Sequence, residues 1–229
     1  MATRIAVAIL ASVAMFSAGC STPVHLWDDH VTLGPKSPSL DIAVLACAPV
    51  ATLGVVAPAS IQGLSPTVSH ALATALSQAS PPIRVIPMRE ALDRLTDERL
   101  AGEYAELLAS YSRGGIPDRA RLERIGAALG SRYVLQPGLA EFGQTVLDKF
   151  EFAGFKIVRT RVSTLRLWLQ LWDARTGHLL SESTGEMTVA APVLTTDSTV
   201  SLDDIAQQLW SRMIKRDWLG NTSESWRCP

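Results

Sequence analysis

Leu165, Leu167, Leu169 and Leu171 occupy every second position of one run, and Asp173-Ala174-Arg175-Thr176-Gly177 follows at once. Alternation with period two sends successive side chains to opposite faces, so the run requires a sheet with one buried face. The turn places Gly177 where a positive φ is needed, and His178 to Val189 reads as the returning antiparallel strand. Earlier in the same strand (Ile157 to Trp172) the apolar residues are even-numbered, at Val158 and Val162. This change of phase predicts a β-bulge or bend near Ser163-Thr164. Trp168 and Trp172 fall on the second face with Arg166 and Gln170. A covering helix is the expectation for them, since aromatic stripes belong mostly to cores; an exposed partner platform is the other reading.

Upstream, the chain reads as strand, helix, strand. Asp41 to Cys47 (DIAVLAC) is an apolar run expected to be a buried strand. Ser65 is the expected N-cap of a helix with Pro66 in its first turn and an inner stripe of Val68, Leu72, Ala73 and Leu76. Ile83 to Ile86 is the second strand, which gives a parallel βαβ unit. Arg89 to Tyr111 reads as one or two charged helices. Asp118 caps the next, with Leu122, Ile125 and Leu129 inward and Gly130 just past its end. Tyr133 to Gln136 is a strand continuing toward Phe142. Ser201 caps a last helix with Ile205, Leu209, Trp210 and Met213 inward. The fold class is therefore α/β: a βαβ start, a mixed sheet ending in a long antiparallel hairpin, and flanking helices, in a single domain.

The amino terminus speaks to location. Thr3 and Arg4 precede an uncharged apolar run, Ile5 to Phe16, closed by Ser17-Ala18-Gly19-Cys20. The run is short for a spanning helix, which needs about 20 apolar residues. The order is that of a secretory signal ending in a lipid-attachment cysteine. The expected layout is a signal peptide over 1–19, a lipidated tether over 20–40, a periplasmic domain over 41–217 and a polar tail over 218–229. Once Cys20 carries lipid, Cys47 and Cys228 remain, and in an oxidising compartment they could pair; a buried Cys47 and an unpaired Cys228 is the other reading.

Little in the sequence suggests chemistry. With 21 basic and 22 acidic side chains there is no electrostatic case for nucleic acid. His25, Asp28, Asp29 and His30 offer metal-ligating groups, but residues five apart share a face in neither helix nor strand, so no metal or other cofactor is expected. No G-x-S-x-G elbow, H-E-x-x-H or C-x-x-C occurs. Glu182 and Glu186 could form a glycosidase carboxylate pair, but two charges on an outward strand face is the simpler reading. Two apolar stretches are candidate partner contacts: Val55-Val56 in the loop Val50 to Pro58, and Phe150, Phe152 and Phe155 in a hairpin insert, Phe142 to Arg161. Trp168 and Trp172 join them under the platform reading.

The phrases IGAALGSRYVLQPGL and LRLWLQLWDARTGHLL, with the cysteine-terminated signal, are similar to those of the family around the curli-secretion lipoprotein. The amino-terminal domain of the Tol–Pal translocation protein and the lipoprotein activators of penicillin-binding proteins share that fold group. Ala18-Gly19-Cys20 matches the lipobox, although Ser17 replaces its usual leucine. The resemblance implies cleavage before Cys20, diacylglycerol on its thiol and, because Ser21 is not Asp, sorting to the outer membrane. It also implies a non-enzymatic role in periplasmic interaction or envelope assembly, with the membrane and an envelope protein as partners. A homo-oligomeric secretion pore and an envelope-polymer hydrolase stand as alternatives.

Overall fold

The computed structural model describes residues 26–37, 40, 45, 47–79, 83–151, 156–192 and 200–219. One six-stranded sheet organises them. Its strands are β1 (Leu26–Leu33), β2 (Val50–Thr52), β3 (Val85–Ile86), β4 (Tyr133–Glu151), β5 (Lys156–Asp173) and β6 (His178–Pro192), in the order β1-β6-β5-β4-β2-β3. β2 lies parallel to both β3 and β4, and the remaining pairs are antiparallel. The helices are α1 (Ser65–Ser77), α2 (Met88–Asp97), α3 (Ala101–Gly114), α4 (Arg119–Leu129) and α5 (Leu202–Ile214), which runs on into a π-helical turn, Lys215–Leu219. The mixed α/β architecture, its parallel β2–α1–β3 start and its long antiparallel hairpin are those the sequence led us to expect.

Two cores lie on opposite faces of the sheet. α1 and α5 cover one face, where Leu72, Leu76, Leu209, Trp210 and Met213 meet the odd-numbered leucines of β5. α2, α3 and α4 cover the other, over Ala51, Ile86, Val134 and Trp172. Local signals set the helix ends. The Asp118 carboxylate accepts from the Arg121 N–H at 2.9 Å, and Gly130 leaves α4 with φ 63°. Ser201 and Asp204 form a reciprocal capping box on α5. Ser65 is no cap: a 3₁₀ turn at Gln62–Leu64 runs directly into α1, leaving Ser65 as its first helical residue.

Four further expectations need correction. Leu45 and Cys47 are helical, and the strand position beside β3 and β4 belongs to Val50–Thr52; a short apolar run fits a buried helix as well as a strand. The stretch expected as a tether contains β1, which pairs with β6 from Leu26↔Ala190 to Leu33↔Ser183. β5 passes Ser163 and Thr164 without a register shift, and Ser163 is buried on the same side as Leu165. The irregularities lie in the flanking strands, where Ala140 and Leu180 are the extra residues opposite an unbroken β5. Finally, Trp218, assigned to a polar tail, is buried, and its Nε1–H donates to Ser181 Oγ at 3.2 Å.

Two buried carboxylates give stability opposite pH dependences. Asp173, at the hairpin turn, accepts from Arg132 Nε (2.9 Å) and Nη2 (2.6 Å) and from the Arg175 N–H (2.9 Å). Burial pushes its pKa up, but these hydrogen bonds and the guanidinium charge together hold it below the ordinary value. Its contribution is therefore present above the unfolded carboxylate pKa and lost as pH falls through the folded one. Asp173→Asn should cost about 2–3 kcal/mol at pH 7 and progressively less at low pH, read by urea unfolding. Asp217 is 1 % exposed, and Lys36 donates to its carbonyl and approaches its Oδ1 at 3.4 Å. Burial raises its pKa, and Lys36, Ser181 and Ser183 only partly oppose the rise. Its share of stability is greatest below the unfolded pKa and declines as pH rises through the folded one. Asp217→Asn should thus raise the urea midpoint at pH 7 and leave it unchanged at pH 3.

Candidate functional site

The helices leave part of one sheet face open. α2–α4 cover the β2–β3–β4 side, but over β1, β6 and β5 a groove of about 300 Å³ remains, lined by His30, Thr32, Arg166, Trp168, Thr184 and Glu186. Strand register assembles it. Directly opposed antiparallel residues share a face, so His30↔Glu186↔Arg166↔Glu141 forms one row and Thr32↔Thr184↔Trp168↔Gly138 the next. The extra residue Ala140 is what turns Glu141 toward Arg166. Were Ala140 paired in regular register, it would oppose Arg166 itself and Glu141 would oppose Leu165 on the core side, the place Phe142 takes.

Arg166 is clamped between carboxylates. Its Nε donates to Glu186 Oε2 at 2.7 Å and its Nη1 to Glu141 Oε2 at 2.9 Å. The Glu186 hydrogen bond, followed by the two acidic charges, raises its pKa. Beside it, the Trp168 indole lies across the backbone of β4 at Gly138, where any Cβ would fall inside the ring. Tyr111 of α3 supports the other side, 5.7 Å away between ring centroids. A buried polar chain closes that end. Tyr111 O–H donates to Gln170 Oε1 at 2.5 Å, Trp172 Nε1–H donates to the same oxygen at 3.2 Å, and Gln170 Nε2 donates to Glu182 at 2.8 Å. Burial first, and then the Glu182 charge, push the Tyr111 pKa up, which keeps the phenol a neutral donor. Tyr104 is likewise pushed up to about 12 by burial, against a hydrogen bond from the Gly54 N–H.

The groove suits recognition better than turnover. Thr32 Oγ1 stands 3.2 Å from His30 Nε2, the beginning of a hydroxyl–imidazole pair. An acyl-transfer site also needs N–H donors aimed at a developing oxyanion. Here the middle strand of the floor, β6, is paired on both sides and its N–H groups belong to the ladders. Among the described residues, no group of three His, Cys, Asp or Glu side chains is placed to hold a metal ion.

The sequence candidates are dispersed. Trp168 lines the groove half-buried, whereas Trp172 is covered by the second core. Val55 and Val56 pack against opposite cores along an irregular extension of the sheet: the Val56 N–H donates to the Pro137 carbonyl (3.1 Å), and its own carbonyl accepts from Leu139 (2.9 Å). Both are partly buried. The backbone of Phe150 pairs with Ile157 near the end of the β4–β5 ribbon. Phe152, Phe155, Cys20 and Cys228 lie outside the described residues, and Cys47 is disulfide-bonded. His30, Thr32, Glu141, Thr184 and Gly138 were not singled out for this site by sequence reasoning. The available signal was the odd-numbered apolar set Trp27, Val31 and Leu33, interrupted by Asp29. That carboxylate faces the core side and is paired with Arg212 and, at 3.4 Å, with Arg216.

No family model and no curated protein matches the chain. Among solved structures, a leucine-to-methionine variant of the PelC dodecamer from Paraburkholderia phytofirmans is 14% identical, over 83% of this chain and 99% of that one, with a TM-score of 0.46. The LpoB C-terminal domain from Salmonella enterica is 13% identical over 63% of this chain and 93% of that one, at 0.36. The lipoprotein GNA1162 from Neisseria meningitidis is 16% identical over 76% and 99%, at 0.37. Scores this low assign no activity to this chain.

Proposed function

We propose that the chain is a lipid-anchored, non-enzymatic protein of the bacterial outer membrane, facing the periplasm, whose α/β domain takes an envelope partner on its open sheet face. The observation that carries the reading is the groove itself: a seated tryptophan beside a self-compensated arginine–carboxylate cluster, over a middle strand, β6, paired on both sides. Aromatic side chains held rigidly beside satisfied polar groups are typical of protein contact centres. The cysteine-terminated signal supports the anchor, and Ser21 supports the outer membrane. Among the described residues no helix is long and apolar enough to cross a membrane.

A photoreactive side chain at the exposed Thr184, irradiated in cells, tests the partner. One recurrent envelope protein in the adducts is the expected result. Ladders of the chain with itself would favour the oligomeric alternative, and no adduct would overturn the groove assignment. With Cys20 lipidated, we assign the disulfide of Cys47 to Cys228. Peptide mapping without reductant should recover that linked pair; a linked Cys20–Cys47 pair would contradict both the disulfide and the anchor.

A further inference from the structure

We infer that the β4–β5 ribbon rests in the headgroup layer of the membrane that holds the chain's lipid, so that the domain touches the bilayer at two points. The inference rests on the lipid anchor at Cys20 proposed above and adds a second contact to it. Strand register supplies the geometry. Leu26, Ala190, Val162 and Thr145 form one row across β1, β6, β5 and β4. β1 begins at that row, at Leu26, close in sequence to Cys20. Past the same row β4 and β5 continue for six further residue pairs, from Val146↔Arg161 to Glu151↔Lys156; β6 accompanies the first two through Ala191 and Pro192, and the last four stand without it.

The two lengths match. Leu26 lies six Cα–Cα steps from Cys20, with five residues between them, and fully extended that chain spans about 20 Å at most. Six pairs of an antiparallel ribbon rise about 20 Å. A tether no longer than the ribbon beside it cannot hold the domain far enough from the bilayer to keep an outward-pointing ribbon clear of it.

The surface of the ribbon agrees. Leu26 (67 % exposed), Val146 (54 %) and Leu147 (47 %) all sit at this end. Leu147 falls on the Leu26 face of the sheet and Val146 on the other, so neither side of the ribbon is purely polar. In sequence, the paired residues 146–151 and 156–161 include four basic and two acidic residues, a net charge of +2, in a chain of net charge −1. Exposed apolar groups with basic neighbours suit an anionic headgroup layer. The described pairs do not make a spanning hairpin: a membrane strand needs about 9–11 residues, and these are six pairs carrying six charges.

The test uses the lipidated full chain in vesicles of phosphatidylethanolamine and phosphatidylglycerol. A photoreactive side chain stands at Leu147 or, as a control on the open face, at Thr184. Irradiation should yield phospholipid adducts at Leu147 and none above background at Thr184. Equal adduct yields at the two sites would overturn the inference. A Leu147→Glu variant, with its unfolding midpoint checked, should lose vesicle binding that persists in a non-lipidated Cys20→Ser chain; unchanged binding would also overturn it. The mass of the Cys20 peptide separates the two readings. Without lipid on Cys20 the anchor fails, whereas with lipid present and Leu147 silent only the ribbon contact fails.

Discussion

Trp210→Ala should lower the stability of the domain by about 3–5 kcal/mol, the largest effect expected of any single side chain here. Trp210 is fully buried on α5, and its indole N–H reaches the Val68 carbonyl of α1 at 3.2 Å. It joins the two helices that cover the odd-numbered leucines of β5. Truncation removes the ring and leaves a cavity between helices held apart by Leu72, Leu76 and Leu209. Because whole domains of this size are stable by only about 5–15 kcal/mol, the variant should unfold at far lower urea, with little change in slope. The groove lies on the opposite side of the sheet, so a variant still folded at low temperature should keep its Thr184 adducts.

Gly138→Val should do the converse, losing function at smaller cost in stability. Any Cβ at Gly138 occupies the space of the Trp168 indole, so the ring must leave its seat. Overpacking of this kind costs about 1–3 kcal/mol. Expulsion of the ring also ends its contact with Tyr111 and reshapes the groove wall. The near-ultraviolet circular dichroism of Trp168 should change, and Thr184 adducts with the partner should disappear while far-ultraviolet spectra stay native. A Trp168→Phe control keeps an aromatic ring on the seat and should retain part of the crosslinking. Native adduct yields in Gly138→Val would show that the seated tryptophan takes no part in recognition.

These two sites differ in how far the sequence betrays them. The core around Trp210 was legible because its signals are local: alternating leucines, a capping box at Ser201, and an apolar stripe at helical spacing. Asp118, Gly130 and Gly177 likewise act within one turn of themselves. β1 was hidden by Asp29, a carboxylate in an inward position whose partners, Arg212 and Arg216, lie nearly the whole domain away in sequence. The Leu45–Cys47 stretch was misread because a short apolar run has no period to distinguish helix from strand. The groove was hidden for a further reason. His30, Glu141, Arg166 and Glu186 come from four strands, and only register brings them together. One of them, Glu141, reaches the row through the extra residue Ala140, which no pattern in β4 announces. Gly138 reads as an ordinary weak point in a strand until Trp168 is seen lying on it.

The whole account depends on the anchor, because the envelope location, the disulfide assignment and the membrane contact of the ribbon follow from it. Growth with a radiolabelled fatty acid, comparing the wild-type chain with Cys20→Ala, tests it most directly. The account predicts label on the wild-type protein, none on the variant, and a wild-type mass that begins at a diacylglyceryl-modified Cys20. An unlabelled wild-type protein, cleaved elsewhere or released into the soluble periplasm, would contradict it.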